Sequence, residues 1–269
     1  MKKSLGLVIF IFLSITIKAQ DNWESYLVKK EKGLMYVSVN MDLNLFKPNY
    51  KNLLIVGTNT KKCLKNGYPD AEGLEELYIF SDSVANIVDE NTKNKLSGII
   101  TYQCAGFDVF YVKDTLNLRA SINELIAKKF SQSKNYLVIE RDKKWEYYKN
   151  TLYPINLYLS EGFFINQDLL RQLFEEGDDL IQPRNVTHWF YFRKENKRQK
   201  FIDKIRTLDF SIDSLNFRKE REFKYELQVS RKDSIHPYSI SKLTKTLTGF
   251  ATLLFGEYDG WSAELMTKD

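Results

Sequence analysis

The segment from Gly177 to Phe192, GDDLIQPRNVTHWFYF, constrains the fold of this chain more than any other. A glycine that can end a helix precedes two acidic residues and a Pro-Arg pair, and period-two alternation then covers residues 186–193. One face of this run holds Val186, His188, Phe190 and Phe192, and the other holds Thr187, Trp189, Tyr191 and Arg193. Because apolar or aromatic side chains occupy most of both faces, the run predicts a central strand covered on two sides.

The rest of the second half alternates between helix and strand around this run. A leucine-rich stripe predicts a helix over 167–176, and Gly177 is suited to end it. The further predicted elements are a helix over 195–208, strands over 209–217 and 222–231, a helix capped by Ser239, and a strand over 258–265. This order is βαββαβ behind one extra helix, as in ferredoxin-like folds. In that topology the first and fourth strands are neighbours, so we expect His188 near residues 258–261.

The first half shows the same order behind a leading strand. The predicted strands are 34–45, 51–57, 97–104, 107–112 and 136–140, with helices from Asp70 to Val88 and from Asp114 or Thr115 to Phe130. A tight turn at Ala105-Gly106 is expected to join the two middle strands. The charged, aromatic segment Asp142–Pro154 is predicted to be a packed linker. The sequence therefore predicts an α+β fold of two tandem ferredoxin-like (βαββαβ) α/β sandwich domains.

The first nineteen residues have the pattern of a secretory signal peptide. Met1-Lys2-Lys3 precedes an apolar run from Leu5 to Ile17, and the small residue Ala19 follows. We expect cleavage after Ala19, domains at 20–155 and 156–269, and a periplasmic or secreted protein without a membrane span. The alternative is an uncleaved anchor, but the run of 13 residues is short against the ~20 that a spanning helix needs.

The charge of the chain does not indicate a nucleic-acid partner. The formal net charge is +5, but Lys2, Lys3 and Lys18 belong to the predicted signal peptide, and without them 37 basic residues face 35 acidic ones. Residues 156–269 hold 18 basic and 18 acidic side chains. A nucleic-acid interface needs a basic stripe with stacking aromatics, so we predict none.

Cys63 and Cys104 are the two cysteines of the chain. In an oxidising compartment they can form a disulfide, and two separate buried thiols fit the sequence equally well. Cys104 ends a predicted hairpin strand and Cys63 lies in a predicted loop, which permits a contact without requiring one. Either way, a structural role is predicted.

The sequence lacks the common motifs of nucleotide, zinc and nucleophile chemistry. It has no GxGxxG, no GxxxxGK followed by Ser or Thr, no HExxH, no CxxC and no GxSxG. Two histidines and two separated cysteines do not compose a soft-metal site. We therefore predict no catalytic residues, no cofactor and no metal.

His188 is the side chain best suited to acid–base chemistry, because imidazole titrates near neutrality. It lies in mid-strand between aromatic residues with no second histidine nearby, which favours a buried, hydrogen-bonded core residue. His236, the other histidine, precedes Pro237 and is predicted to be a solvated loop residue.

Seven residues form a candidate interaction patch. Asp178 and Asp179 can pair with Arg184, act as acid–base carboxylates, or simply form a turn. The Tyr258-Asp259-Gly260-Trp261 segment combines an acid, a glycine and a large aromatic, which suits contact with a partner. The predicted patch consists of Asp178, Asp179, Arg184, His188, Tyr258, Asp259 and Trp261.

GDDLIQPRNVTHWFYF together with GEYDGW, residues 256–261, resembles the RraB family, whose members inhibit ribonuclease E by binding it. The resemblance covers residues 160–269 and implies a ferredoxin-like fold that acts through protein contacts. Residues 23–155 resemble an uncharacterised bacterial family, number six-nine-five among domains of unknown function. That resemblance rests on Trp23, the Gly67-Tyr68-Pro69 turn, the hairpin from Thr101 to Tyr111 and the segment from Trp145 to Pro154, and it implies no activity.

Three functional hypotheses follow. The leading one is an exported, non-catalytic protein that binds and regulates an unknown protein partner. The second is a hydrolase-type enzyme that uses His188 with Asp178, Asp179 or Asp259. The third is a cytoplasmic regulator of ribonuclease E, which requires that the N-terminus is not a signal peptide.

Overall fold

The computed structural model describes residues 22–45, 49–153 and 161–267. The predicted signal peptide and the predicted domain boundary at 155/156 lie outside these residues. The described residues form two antiparallel sheets with helices packed on them, which confirms the α+β class. None of the helices in these three ranges is long and apolar enough to cross a membrane.

The first sheet has six strands. In chain order the elements are β1 (Trp23–Lys30), β2 (Gly33–Asn40), β3 (Asn52–Asn59), α1 (Ala71–Asn91), β4 (Asn94–Tyr102), β5 (Ala105–Val112), α2 (Leu118–Lys129) and β6 (Asn135–Arg141). The strand order is β1-β2-β4-β5-β3-β6. Its last four strands have the ferredoxin-like order, and the β1–β2 hairpin extends the sheet beside β4.

The prediction missed β1. Its buried residues, Tyr26 and Leu27, are adjacent, and the strand ends in two exposed lysines. The period-two alternation that identifies a half-buried strand is therefore weak in this segment. Where the prediction placed the end of the leading strand, Met41–Leu45 forms a short 3₁₀ helix.

Both faces of the six-stranded sheet carry packed elements. Helices α1 and α2 pack on one face, where Phe80 and Ile122 share a cluster with Leu54 and Phe110. The segment that follows β6 covers the other face, and the Trp145 ring stacks on Tyr111 with 3.9 Å between ring centroids. The predicted packed linker is confirmed for its described part, which ends at residue 153.

The β4–β5 hairpin turns at Gln103 and Cys104, not at Ala105-Gly106 as predicted. Both turn residues have positive φ, 50° and 61°, as a tight hairpin turn requires. Gly106 instead lies within β5, where a Cβ atom would approach the Leu77 side chain of α1 at 3.2 Å. Cys104 in this turn forms a disulfide with Cys63, so the paired alternative is the one observed.

The second sheet has four strands, in the same ferredoxin-like order as the last four strands of the first sheet. Its elements are α3 (Glu161–Glu175), β7 (Arg184–Phe192), α4 (Glu195–Arg206), β8 (Ser211–Phe217), β9 (Tyr225–Asp233), α5 (Pro237–Leu253) and β10 (Gly256–Ala263). The strand order β10-β7-β9-β8 is that of a ferredoxin-like domain preceded by one helix, as predicted. Helix α5 begins earlier than predicted, with Pro237 in its first turn and half-buried His236 as its N-cap. His236 is therefore not a solvated loop residue.

Strand β7 is central, but only one of its faces is covered. Val186, His188, Phe190 and Phe192 are buried on the helix side of the sheet, Val186 against α3 and α5 and the two phenylalanines against α4 and α5, whereas Thr187, Trp189 and Tyr191 are half-exposed. The prediction of burial on both sides was wrong, because aromatic side chains at a partly open surface produce the same pattern as a core.

Helix α3 connects the two halves of the described chain. Leu170, Leu173 and Phe174 pack in one cluster with Leu27 and Tyr68 from the first half and with residues of the second half that include Val186 and Ile240. The side-chain oxygen of Gln167 accepts a hydrogen bond from the Leu27 backbone N–H at 2.8 Å. The two sheets therefore share a hydrophobic core along α3.

Candidate functional site

Asp178 and Arg184 form a buried ion pair with 0% and 2% of their side chains exposed. The pair is bidentate: Nη1 contacts Oδ2, and Nη2 donates to Oδ1 at 2.9 Å. Asp178 also accepts from the backbone N–H groups of Leu180 and Met266, and Arg184 donates to the Glu264 carbonyl at 2.8 Å. The predicted charge cluster is therefore a clamp that holds the segment after β10, at Glu264 and Met266, against the α3–β7 loop.

The local sequence explains how this clamp forms. Gly177 adopts φ +98° after α3, a conformation that favours glycine and turns the chain out of the helix. Asp178 and Asp179 then accept hydrogen bonds from the backbone N–H groups two residues ahead, Leu180 and Ile181. These Asx turns shape the loop that brings Arg184 back to Asp178.

His188 lies in the core of the second sheet, with 0% of its surface exposed. Its Nδ1 is 2.9 Å from the Tyr258 hydroxyl, and its Nε2 has no partner among the described residues. Burial lowers the pKa of His188 to about 4, and the Asp233 charge opposes this shift only in part. The imidazole is therefore neutral at physiological pH and closed off from solvent.

We expect His188→Ala to lower the free energy of unfolding by roughly 1–3 kcal/mol, because it removes a buried hydrogen-bond partner of Tyr258. His188→Gln, which keeps hydrogen-bonding atoms, should have a smaller effect at pH 7. Urea denaturation of both variants beside the wild type measures this. An Ala variant as stable as the wild type would contradict a core role and favour a chemical one.

The pH dependence of His188→Gln provides a second measure of the same site. The folded-state pKa lies below the unfolded value of 6.5, so the unfolded chain binds the proton first and wild-type stability falls as the pH drops from 6.5 towards 4. Between pH 7 and pH 5 the wild type should lose roughly 2 kcal/mol relative to the Gln variant. Parallel curves would contradict the buried neutral imidazole.

Trp261 lies beside His188 on β10, as the predicted topology required. Its indole N–H donates to Asn166 Oδ1 at 2.7 Å, and the Asn166 amide donates to Thr244 Oγ1 at 2.9 Å. These bonds join β10, α3 and α5. Trp261 is therefore mainly a packing residue.

The seven residues of the predicted patch do not form one accessible surface. Asp178 and Arg184 are buried in the clamp, and His188 and Tyr258 contact each other beneath α4 and α5. Asp259 is the exposed member, and it lies at a β-bulge on the opposite side of the sheet. Most of these motif residues therefore stabilise the fold. They do not share one surface, because neighbouring residues of a strand point to opposite sides of the sheet.

The open face of the second sheet carries the residues that the sequence reasoning missed. Trp189 and Tyr191 lie at its centre, and neither belongs to any of the described hydrophobic clusters. Their cross-strand partners on β9 are Gln228 and Glu226. The polar alternation of β9 was the available signal, because residues directly opposite each other on two strands share a face.

Charged side chains surround the two aromatic rings. The Arg221 guanidinium lies 5.7 Å from the Tyr191 ring centroid, and Arg218 pairs with Glu226. Burial and the neighbouring Asp259 carboxylate raise the pKa of Tyr191, so its hydroxyl stays protonated and donates to Asp259. Trp, Tyr and Arg are the residue types that dominate binding energy at protein interfaces, and here all three are at least half-exposed on one face.

Comparison with known families and structures gives two matches of consequence. Residues 21–153 match a family of unknown function (DUF695), and residues 165–263 match the family Regulator of ribonuclease activity B (RraB). None of the curated proteins matches the chain at a significant level.

Two solved structures resemble the chain only distantly. One is described provisionally as a glycine cleavage system transcriptional repressor, and the other is an unknown protein from Galdieria sulphuraria. Each shares 8% identity and covers 80% of this chain and 98% of its own length, with TM-scores of 0.25 and 0.20. Similarity at this level carries no argument about fold or function.

The two family matches confirm both resemblances and their order along the chain, and a regulator domain beside a domain of unknown function suggests a regulatory or binding role. The chain is thus similar to the DUF695 family over residues 21–153 and to the Regulator of ribonuclease activity B family over residues 165–263.

Proposed function

We propose that this protein is an exported, non-catalytic regulator that binds another protein through the open face of its second sheet. The observation that carries the proposal is the half-exposed Trp189–Tyr191 pair on a sheet whose other face is fully packed. An isolated tyrosine at a surface is ordinary. Here two large aromatic side chains lie next to each other, and Arg221 lies over the Tyr191 ring. Such a group can form the water-excluding centre of a protein interface.

Two further observations support a location outside the cytoplasm. The N-terminus has the signal-peptide pattern, and Cys63 and Cys104 form a disulfide, which persists in oxidising compartments and is rare in the cytosol. An exported protein does not meet a cytoplasmic ribonuclease. The partner is therefore expected to differ from the one in the family name, while binding through protein contacts is retained.

The hydrolase alternative gains no support from the geometry. It requires His188 to face a carboxylate in an accessible cleft, whereas His188 is buried against Tyr258. Asp178 is held by Arg184, and Asp259 lies on the opposite face of the sheet. A general base must reach the proton that it abstracts, and these positions lend that role no support.

We expect Trp189→Ala and Arg221→Ala each to weaken partner binding by at least tenfold, as substitutions at interface anchors do. The wild-type protein is first used to capture its partner from the envelope fraction, and the purified partner is then titrated calorimetrically. Mass spectrometry of the bait from the same fraction should show a chain that starts at Gln20.

Phe255→Ala is the matched control, because Phe255 is a large exposed aromatic, 73% accessible, that lies in the turn before β10 and outside the paired strands. It should bind like the wild type. Equal binding by Trp189→Ala and wild type would contradict the proposed surface. Recovery of intact Met1 from soluble cytoplasm would contradict export and favour the ribonuclease regulator.

A further inference from the structure

A cleft of about 580 Å³ lies on the first sheet, between α1 and the C-terminal end of α3. Helices α1 and α2 cover β3 and β5, and α3 packs on β1, so the middle of the sheet between them is left uncovered. The floor is formed by β2, β4 and β5, and one wall comes from α3 in the RraB-family segment. The cleft therefore lies where the two family domains meet.

The walls of this cleft are mainly aromatic and aliphatic. Tyr36 and Tyr68 line it with their rings 5.9 Å apart, and Leu74, Leu77 and Phe107 add apolar surface. A pocket of 300–1,000 Å³ with apolar walls and a few polar groups is the usual form of a small-ligand site. This cleft has that size and composition.

The charged residues that line the cleft are all acidic: Asp70, Asp108, Glu175 and Glu176. Asp70 caps α1 by accepting from the Gly73 backbone N–H, so it is already committed. The nearby Arg171 donates to the Tyr36 hydroxyl and pairs with Asp168, outside the lining. Arg171 also lies 5.9 Å from the Tyr36 ring centroid and attracts Glu175, so it offsets part of the negative charge on the α3 side, whereas Asp108 has no such cation among the described residues.

Asp108 lies at the floor of the cleft and is 4% exposed. It contacts Ser81 of α1, and no ion pair among the described residues includes it. Its sheet neighbours Val56 and Ile99 are uncharged, Asp82 is the nearby charge on α1, and Glu175 and Glu176 face the cleft from α3. Burial, with a smaller contribution from Asp82, raises the pKa of Asp108 to about 6.

A buried carboxylate without a cation is costly, and an apolar residue would pack there at less cost. Groups of this kind, in a cleft and with a strongly perturbed environment, mark functional sites. The aromatic walls add a second preference, since the faces of tyrosine rings attract cations.

We propose that this cleft binds a cationic organic group, an ammonium or guanidinium on an apolar or aromatic body, with Asp108 as its counter-ion and Tyr36 and Tyr68 packing against the body. Glu175 lies on the cleft wall formed by α3 and attracts the bound cation from that side. Such a group occurs in free amines and in the lysine or arginine side chains of proteins. The cleft is distinct from the open face of the second sheet, so the result for one proposal does not decide the other.

The test is isothermal titration of the full mature chain with phenethylammonium, butylguanidinium and a blocked lysine, N-acetyl-lysine methylamide. The neutral control is 3-phenylpropanol, which has a similar body without the charge. We expect the cations to bind at least tenfold more tightly than the alcohol. Tighter binding of the free amine indicates a small-molecule ligand, and tighter binding of the blocked lysine indicates a protein side chain; each supports the site.

Asp108→Asn should reduce cation affinity at least tenfold, and Glu175→Gln, which changes a more exposed carboxylate, should reduce it less. Asp89→Asn, at the far end of α1, is the matched control and should bind as the wild type does. Wild-type affinity should also fall about tenfold from pH 7.5 to pH 5, as Asp108 gains its proton. The Asn variant should lose this dependence.

Three outcomes would overturn the proposal: equal binding of alcohol and cations, wild-type affinity in Asp108→Asn, or no heat from any cation at millimolar concentration. Circular dichroism melting shows whether Asp108→Asn is folded. If it is not, the Glu175→Gln variant and the wild-type pH profile decide the question.

Discussion

Replacing Asp178 with alanine should lower the free energy of unfolding by about 3–5 kcal/mol, among the largest effects expected from any single substitution in this chain. The substitution leaves the Arg184 guanidinium buried without its carboxylate partner. It also removes the acceptor for the backbone N–H groups of Leu180 and Met266. A buried charge and two unpaired N–H groups are costly because the interior does not solvate them as water does.

Urea denaturation followed by circular dichroism measures this effect. Glu124→Ala is the matched control, because it breaks the exposed i,i+4 pair with Lys128 and should leave the unfolding midpoint nearly unchanged. The double variant Asp178→Leu/Arg184→Met should recover much of the lost stability, since apolar side chains of similar size replace both charges. If Asp178→Ala and the control unfold at the same urea concentration, the clamp is not a major source of stability.

This prediction also bears on the family resemblance. Gly177, Asp178, Arg184, His188 and Trp261 carry much of the similarity to the RraB family, and the structure gives each a role in folding: helix end, clamp, core hydrogen bond and strand-to-helix link. These residues hold the fold together, whereas the half-exposed Trp189 and Tyr191 lie on the open face beside them. The resemblance therefore concerns residues that stabilise the fold and does not identify a partner.

Local patterns were sufficient to predict the ferredoxin-like βαββαβ unit in both sheets. Helix α4 and strand β9 have clear periodicity, and Gly177 marks the end of α3. Strand β1 was missed because its buried residues are adjacent rather than alternating. The open face of β7 was missed because its exposure depends on which elements pack against the sheet, and the strand's own residues do not reveal that.

The cleft could not have been predicted from sequence for a similar reason. Its residues come from β2, β4, β5, α1 and α3, and the first and last of them, Tyr36 and Glu176, are more than a hundred positions apart in the sequence. Asp108 looks like a single polar residue in an otherwise apolar strand, Phe107-Asp108-Val109-Phe110. Only the packing of α1 beside it and α3 across from it shows that the carboxylate is buried at the floor of a cavity.

Removal of the Cys63–Cys104 disulfide is the second change with a large expected effect. The bridge spans 41 positions, and the chain-entropy treatment of a loop of this length gives about 4 kcal/mol of stabilisation, mainly by restricting the unfolded chain. For a protein of this size that corresponds to a fall in Tm of roughly 8–16 °C. Thermal melting with and without dithiothreitol, and of the Cys63→Ser/Cys104→Ser double variant, measures it.

The reduced protein should keep its native structure below the transition, because other contacts hold the two cysteines' surroundings in place. The Cys104 N–H donates to the Gly67 carbonyl at 2.9 Å, and the Thr60 N–H donates to the Cys104 carbonyl at 2.9 Å. The effect should therefore appear in the melting temperature and not in the native spectrum. Dithiothreitol should not change the melting of the double variant, which has no bridge to reduce. An unchanged wild-type Tm in reductant would contradict a stabilising bridge and remove one of the two supports for an oxidising location.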